Sequence, residues 1–330
     1  STTRVCPLAY TNMSDLLTKF IETKTSSLMK SAMDDGTILN KNDPTRLTNV
    51  RFSSFPFCGV RWFLDLPSLV TKASNKDFAF GYFTRVGTTV HEVIQEAFSS
   101  ILEDGQGFSL LWDWKCKSCK HREGTLLDAA PTGECSSCGS TSGFSREEHQ
   151  IRFRGAVGHV DTIISVKLPA NIAKVFGSPV GLIVADYKTT STYNVTKKDT
   201  LPYKSNVAQI SKYTGVLQKN LPVIGWALIY MPRDIPFRYK VIGKFMDRAE
   251  GLKHRKDIIK YVASHKAWST AATLDEIREL FNKRPCKRAD SIPDEYSDCD
   301  HCKSCTGTKG FSKVENTFTR IRKHIPIAKE

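Results

Sequence analysis

The sequence predicts a mixed α/β fold in which a central sheet is flanked by helical regions. Apolar residues recur at helical spacing up to about residue 102, then form three strand-like segments, then a helix and one more strand. The segment from Val180 to Tyr187 is almost continuously apolar, which is typical of a central strand covered on both faces. This order of elements predicts one sheet with helices packed against it.

The individual elements follow from the hydrophobic pattern. Residues 14–33 form an amphipathic helix with Ser14 as N-cap, and a polar linker follows. A second helix over 85–102 keeps one apolar face, which includes Val90 and Ile94. The predicted strands cover 151–157, 160–166, 180–187 and 225–231, a helix covers 207–217, and a basic helical region begins at residue 248.

Composition and charge narrow the function classes. The 330 residues are 40% hydrophobic, and no run approaches the roughly 18 apolar residues that a membrane span needs. The first ten residues lack a basic segment followed by an apolar run, so we expect a cytoplasmic protein of a bacterial or phage-infected cell. A net charge of +14 favours a polyanionic partner such as nucleic acid; the alternative is a basic protein that is merely soluble.

Three residues suit phosphodiester hydrolysis. Asp186 and Lys188 are two apart on a predicted strand, so both project to the same side, and Asp161 ends the preceding segment. If the strands pair, two carboxylates could hold Mg²⁺ or Mn²⁺, and Lys188 could orient or help deprotonate the attacking water. The alternative is an ordinary surface salt bridge, which the Asp-x-Lys pattern alone would favour.

Three more residues support the catalytic interpretation. His91 follows Gly87 on the upstream helix and could be an additional metal ligand. Gln209 and Tyr213 are four apart on a predicted helix, so they share a face that could contact a substrate strand. The chain therefore carries, in order, His, Asp, Asp-x-Lys and Gln-x-x-x-Tyr.

This order of motifs resembles the RecB-like family of PD-(D/E)xK nucleases, particularly its iron–sulfur branch. That branch includes the AddB nuclease domain and the CRISPR adaptation-associated exonucleases. Residues 51–63 also resemble the family's N-terminal segment, and the resemblance spans about residues 51–305. It implies a restriction-endonuclease-like core and a metal-dependent DNA exonuclease whose catalytic residues are His91, Asp161, Asp186 and Lys188.

A first set of cysteines predicts a zinc ribbon. Cys116 and Cys119 form one CxxC pair, and fifteen residues later Cys135 and Cys138 form a second. This spacing is typical of paired zinc knuckles, in which four thiolates close a tetrahedral site. The insert over 112–150 contains five basic and six acidic residues, so it is not suited to binding phosphate strongly. This balance favours a role in gating the substrate path or in docking a partner.

A second set of cysteines is interpreted through the family resemblance. In that family one cysteine before the core and three after it hold a [4Fe–4S] cluster. The ligands that this implies here are Cys58, Cys286, Cys299 and Cys302, with Cys305 as a possible substitute for one of them. The alternative is a second zinc site made from the four C-terminal cysteines.

The remaining charge pattern predicts where DNA binds. The region over 248–305 carries unbalanced basic residues, and Arg320, Arg322 and Lys323 make the tail over 306–330 basic. Tyr193, Tyr203 and Trp226 are candidates for base stacking, with core or rim positions as the alternative. The unbalanced basic residues are Lys253, Arg255, Lys256, Lys260, Lys266, Lys283, Arg284, Lys287, Arg288, Arg320, Arg322 and Lys323.

The sequence thus predicts an N-terminal helical arm over 1–50, a nuclease core over 51–305 and a basic tail over 306–330. The expected activity is hydrolysis of single-stranded or unwound DNA ends in recombination, repair, phage or CRISPR DNA processing. A helicase or recombinase partner would fit that activity. The alternative is a catalytically inactive module of the same fold that binds DNA or a protein partner.

Overall fold

The computed structural model describes residues 50–51, 63, 108–197, 200–232, 239–283 and 309–324. The helices expected over 14–33 and 85–102 lie outside these residues. Within them, the expected mixed α/β architecture is confirmed, with a central mixed sheet flanked by helices. No helix among the described residues is long and apolar enough to cross a membrane.

Ten strands and six helices make up the described part of the chain. The strands are β1 (Val50–Arg51), β2 (Phe108–Cys116), β3 (Arg122–Leu127), β4 (Phe144–Glu147), β5 (His149–Phe153), β6 (Ala156–Val160), β7 (Thr162–Lys167), β8 (Val180–Thr190), β9 (Val223–Pro232) and β10 (Lys240–Phe245). The helices are α1 (Ala170–Phe176), α2 (Thr192–Thr196), α3 (Lys204–Leu217), α4 (Arg248–Thr270), α5 (Leu274–Asn282) and α6 (Lys309–His324).

The central sheet has the strand order β10-β9-β8-β7-β2-β3, with β4 paired to β2. β7 and β8 are antiparallel, whereas β8 and β9 are parallel and are joined by a crossover that contains α3. Every residue of β9 is buried, as a strand in the middle of a covered sheet requires. The strand expected over 225–231 and the helix expected over 207–217 are confirmed, and both begin a few residues earlier.

A smaller sheet has the order β1-β6-β5. The expectation of one strand over 151–157 is wrong, because β5 and β6 form a hairpin that turns at Arg154 and Gly155. Both turn residues have positive φ, 49° and 87°, and such a backbone closes a two-residue turn between antiparallel strands. Gly155 has no Cβ, so this conformation costs it little.

Two single residues carry the chain between the sheets. Glu148 separates β4, in the central sheet, from β5, in the smaller one. Asp161 separates β6, in the smaller sheet, from β7, in the central one. The strand expected over 160–166 is therefore interrupted at Asp161, and both crossing residues are acidic.

The helices close the core on one side. α4 packs against α3 where two glycines meet, because a Cβ on Gly215 would lie only 2.9 Å from the carbonyl oxygen of Gly251. The stretch expected as a basic tail contains α6, which contacts α5 through Phe281 and Phe311 at a ring-centroid distance of 5.5 Å. Val314 and Phe318 of α6 are buried.

Candidate functional site

The two aspartates of the candidate site face each other across β7 and β8. Thr162 pairs with Ala185, so Asp161 and Asp186 are the next pair in line. Both are buried, with 7% and 2% of their surface exposed. The backbone N–H of Tyr187 donates to Asp161 Oδ2 at 2.7 Å and fixes that carboxylate. The convergence expected from strand pairing is therefore present.

Lys188 lies on the same side of β8 as Asp186, as the alternation of a strand predicts. Its Nζ is 2.6 Å from Asp186 Oδ2. Burial alone would lower the pKa of this ammonium, but the negative charges of Asp186 and Asp161 outweigh that effect and raise its pKa. Lys188 is thus a cation near neutral pH, so it can donate hydrogen bonds and offset negative charge but cannot accept a proton.

The buried position of Asp161 opposes its ionisation. Burial, with a smaller contribution from the charge of Glu148, raises its pKa to about 6, although Lys188 and the Tyr187 N–H oppose the shift. A buried pair of carboxylates with one ammonium leaves excess negative charge. A divalent cation would offset that excess.

We predict that affinity for Mn²⁺ at this site falls on acidification. A metal ligand must be ionised, and a group with a pKa of about 6 is mostly ionised at pH 7 and mostly protonated at pH 5. The dissociation constant should therefore rise about tenfold from pH 7 to pH 5. Electron paramagnetic resonance of Mn²⁺ titrated into zinc-loaded protein measures this change, and equal affinity at the two pH values would contradict it.

Gln209 and Tyr213 share one face of α3, as expected. The Gln209 Nε2 donates to the Tyr213 hydroxyl at 3.1 Å. Burial raises the pKa of Tyr213, and the charges of Asp186, Asp161 and Glu148 raise it further, so its hydroxyl stays protonated beside the carboxylates.

Two residues of the site were not predicted from the sequence. Glu148 is exposed to solvent, but its pKa is raised. The larger cause is the protein that surrounds part of the carboxylate, and the second is the negative charge of Asp186. Tyr230 pairs with Lys188 across β8 and β9, and its hydroxyl accepts from the Asn206 side chain at 3.0 Å. No sequence signal marked Glu148, because almost no strand pattern was recognised in the segment that precedes it.

The four cysteines of the predicted ribbon converge. Their sulfur atoms all lie within 4.8 Å of one another. Cys116 and Cys138 are 3.8 Å apart, and Cys119 and Cys135 are 3.7 Å apart. Zn–S bonds of about 2.3 Å would put tetrahedral sulfurs about 3.8 Å apart. These cysteines could therefore hold a metal ion such as zinc.

The two halves of this cysteine site repeat one backbone geometry. The N–H of Lys120 donates to the Cys116 carbonyl at 3.0 Å, and the N–H of Gly139 donates to the Cys135 carbonyl at 2.9 Å. Lys120 and Gly139 both have positive φ, 63° and 66°. Backbone N–H groups, that of Cys119 foremost, lower the pKa of Cys116 to about 7, which favours the thiolate that binds metal.

The ribbon has a small apolar base of its own. Trp112, Trp114 and Phe144 are buried with Cys116 and Cys135. β2 continues from the central sheet, where it pairs with β7, into the ribbon, where it pairs with β3 and β4. The ribbon is therefore a continuation of the sheet, whereas the sequence indicated almost no strand pattern between residues 112 and 150.

The predicted DNA-binding residues fall into three groups. Lys253, Lys256, Lys260 and Lys266 are exposed on α4, whereas Arg255 donates to the Gly215 carbonyl and so packs α4 onto α3. Among the stacking candidates, Tyr193 is exposed, Tyr203 is partly buried and Trp226 is a core residue. Among the basic residues, Arg284, Lys287 and Arg288 lie outside the described residues, and the side chains of Arg320, Arg322 and Lys323 are not described.

The candidate ligand His91 and the iron–sulfur candidates also lie outside the described residues. These candidates are Cys58, Cys286, Cys299, Cys302 and Cys305.

Comparison with known proteins gives little further information. No protein-family model matches the chain, and no curated protein matches it. Among solved structures, the chain is similar to one described as "Crystal structure of SSO0001". That similarity covers 74% of this chain and 86% of the other, with 12% sequence identity and a TM-score of 0.31, and we base no argument on it.

Proposed function

We propose that this protein is a Mg²⁺- or Mn²⁺-dependent DNA nuclease of the PD-(D/E)xK type. The observation that carries the proposal is the alignment of Asp161 with Asp186, one position beyond the Thr162–Ala185 pair of β7 and β8, with the Lys188 ammonium 2.6 Å from Asp186. A surface salt bridge, the alternative for this pattern, does not require two buried carboxylates in register. Two buried carboxylates beside one ammonium leave an excess negative charge, which a catalytic metal ion would compensate.

The residues present fit a hard divalent cation. Asp161 and Asp186 offer oxygen ligands, which Mg²⁺ and Mn²⁺ prefer. When bound, the metal would polarise the phosphate and lower the pKa of a water molecule. The protein's own groups do the rest: the Tyr187 N–H holds Asp161 in place, and Lys188 stabilises negative charge that develops on the phosphate.

The proposed substrate is DNA with a free end, preferably single-stranded or unwound. The net charge of +14 and the exposed lysines of α4 supply the positive potential that phosphate binding needs. We further propose zinc in the four-cysteine ribbon, a [4Fe–4S] cluster at the second cysteine set and His91 as a further ligand of the catalytic metal. The last two rest on the family resemblance.

The direct test is digestion of DNA labelled at one end, in single-stranded and duplex form, with Mg²⁺, with Mn²⁺ and with EDTA. We expect metal-dependent release of the label, and blocking the 5′ or 3′ end separately will give the polarity. DNA binding without hydrolysis under every metal condition would contradict the proposal and favour the non-catalytic module.

Iron and zinc assays on anaerobically purified protein test the two cysteine sites. Two zinc ions per chain without iron would contradict the iron–sulfur cluster.

A further inference from the structure

Glu148 occupies a position equivalent to that of Asp161. Each is the single residue at which the chain crosses between the two sheets. In the β5–β6 hairpin His149 pairs with Val160, so Glu148 is the next residue in line with Asp161. Glu148 is thus aligned with Asp161 at the end of the β5–β6 pair, and Asp161 is aligned with Asp186 at the end of the β7–β8 pair.

The ribbon holds Glu148 through both of its chain neighbours. On one side, Glu147 accepts from Lys115 Nζ at 2.9 Å. On the other, His149 Nδ1 lies 3.0 Å from the buried carboxylate of Asp113, which also contacts Arg122 at 3.2 Å. Asp113, Lys115 and Arg122 all belong to β2 and β3, so the position of the Glu148 backbone is set by the ribbon.

Glu148 is not placed as a third direct ligand beside the two aspartates in this structure. Among the described residues, only the four cysteines bring three or more ligand atoms within 4.8 Å of one another. Unlike Asp161 and Asp186, Glu148 is exposed, so it is open to solvent.

The proposed reaction needs a group that accepts a proton from the attacking water, and few described groups qualify. Lys188 Nζ is already engaged by Asp186 Oδ2 at 2.6 Å. The Tyr213 side chain is buried and its hydroxyl accepts from Gln209, and both aspartates would serve the metal. Glu148 is the remaining carboxylate next to the aspartates, and it is exposed to solvent.

We infer that Glu148 is the general base of the hydrolysis, an inference that rests on the proposed nuclease function. One proton passes from the attacking water to a carboxylate oxygen of Glu148 while the water oxygen forms its bond to phosphorus. The bond from phosphorus to the leaving oxygen breaks, and that oxygen takes a proton from solvent.

Glu148→Gln tests this role, with Glu134→Gln as the matched control. The control removes the charge of another exposed glutamate in the ribbon, one that does not adjoin Glu148. We expect Glu148→Gln to lower kcat on end-labelled DNA by about 100-fold, the scale of general-base catalysis. Its affinities for Mn²⁺ and for DNA should stay within about twofold of the parent, which a base allows and a metal ligand does not.

The outcomes separate this inference from the function on which it rests. A parent that hydrolyses DNA together with an equally active Glu148→Gln variant overturns the base and leaves the nuclease intact. A variant with weakened Mn²⁺ affinity that regains its rate at high metal concentration also overturns the base, because Glu148 would then be a ligand. If the parent and Glu134→Gln are both inactive on all DNA ends, the function and the base fail together.

Discussion

Asp186→Asn is expected to reduce metal-dependent DNA hydrolysis by on the order of 1,000-fold, or about 4 kcal/mol in the barrier. Asparagine keeps the shape of the side chain but removes the charge that would bind the metal. It also removes the carboxylate that holds Lys188 Nζ at 2.6 Å, so the ammonium loses its ion-pair partner. Single-turnover rates with saturating Mg²⁺ measure the loss.

Asp275→Asn is the matched control for Asp186→Asn. Asp275 is an exposed aspartate on α5 whose ion pair with Arg278, at 3.0 Å, resembles that of Asp186 with Lys188 in geometry alone. Its loss should leave the rate unchanged, since exposed ion pairs contribute little to stability. An Asp186→Asn protein with the circular-dichroism spectrum and the hydrolysis rate of the parent would rule out the proposed metal site.

Cys116→Ser is expected to release the metal from the ribbon and to unfold the ribbon locally. Cys116 is fully buried at the end of β2, within hydrogen-bonding distance of Cys138. In structural zinc sites the binding free energy, on the order of 10 kcal/mol, is also folding free energy. A serine oxygen replaces one of four thiolates, so zinc content should fall well below one ion per chain.

Zinc analysis and hydrogen exchange together measure the effect of Cys116→Ser. Amide protons over 117–143 should exchange faster, whereas those of β8 and β9 should keep their protection. Ser118→Ala is the control, because it removes an exposed hydroxyl that contacts Ser140 and Ser142 and leaves every thiolate in place. Full zinc content and unchanged exchange in the cysteine variant would show that the four sulfurs do not form a metal site.

Local rules predicted the part of the site that depends on one element. Asp186 and Lys188 share a side because strand residues alternate, and Gln209 reaches Tyr213 because helix residues four apart share a face. The cysteine spacing predicted the four-sulfur cluster in the same way. The first two relations are contained within a few residues of sequence, and the third follows from a known spacing of two CxxC pairs.

Apart from the convergence of Asp161 and Asp186, relations between elements were not predicted from the sequence. The place of Glu148 depends on the register of β5 against β6, and a pattern of apolar residues carries no register. The hairpin at Arg154 was missed because arginine rarely adopts positive φ. β2 was hard to recognise in the ribbon because its pairing with β3 shifts register between Trp112 and Trp114.

The crossings at Glu148 and Asp161 also bear on which changes in chain length the protein tolerates. With only one residue between strands, a deletion there would pull a strand by one position and turn its inward side chains outward. Substitutions at the two positions would cost activity but keep the fold, whereas insertions or deletions would disrupt both sheets. Differences in length among related chains should therefore gather at the exposed tip of the ribbon, over 128–134, and avoid the crossings.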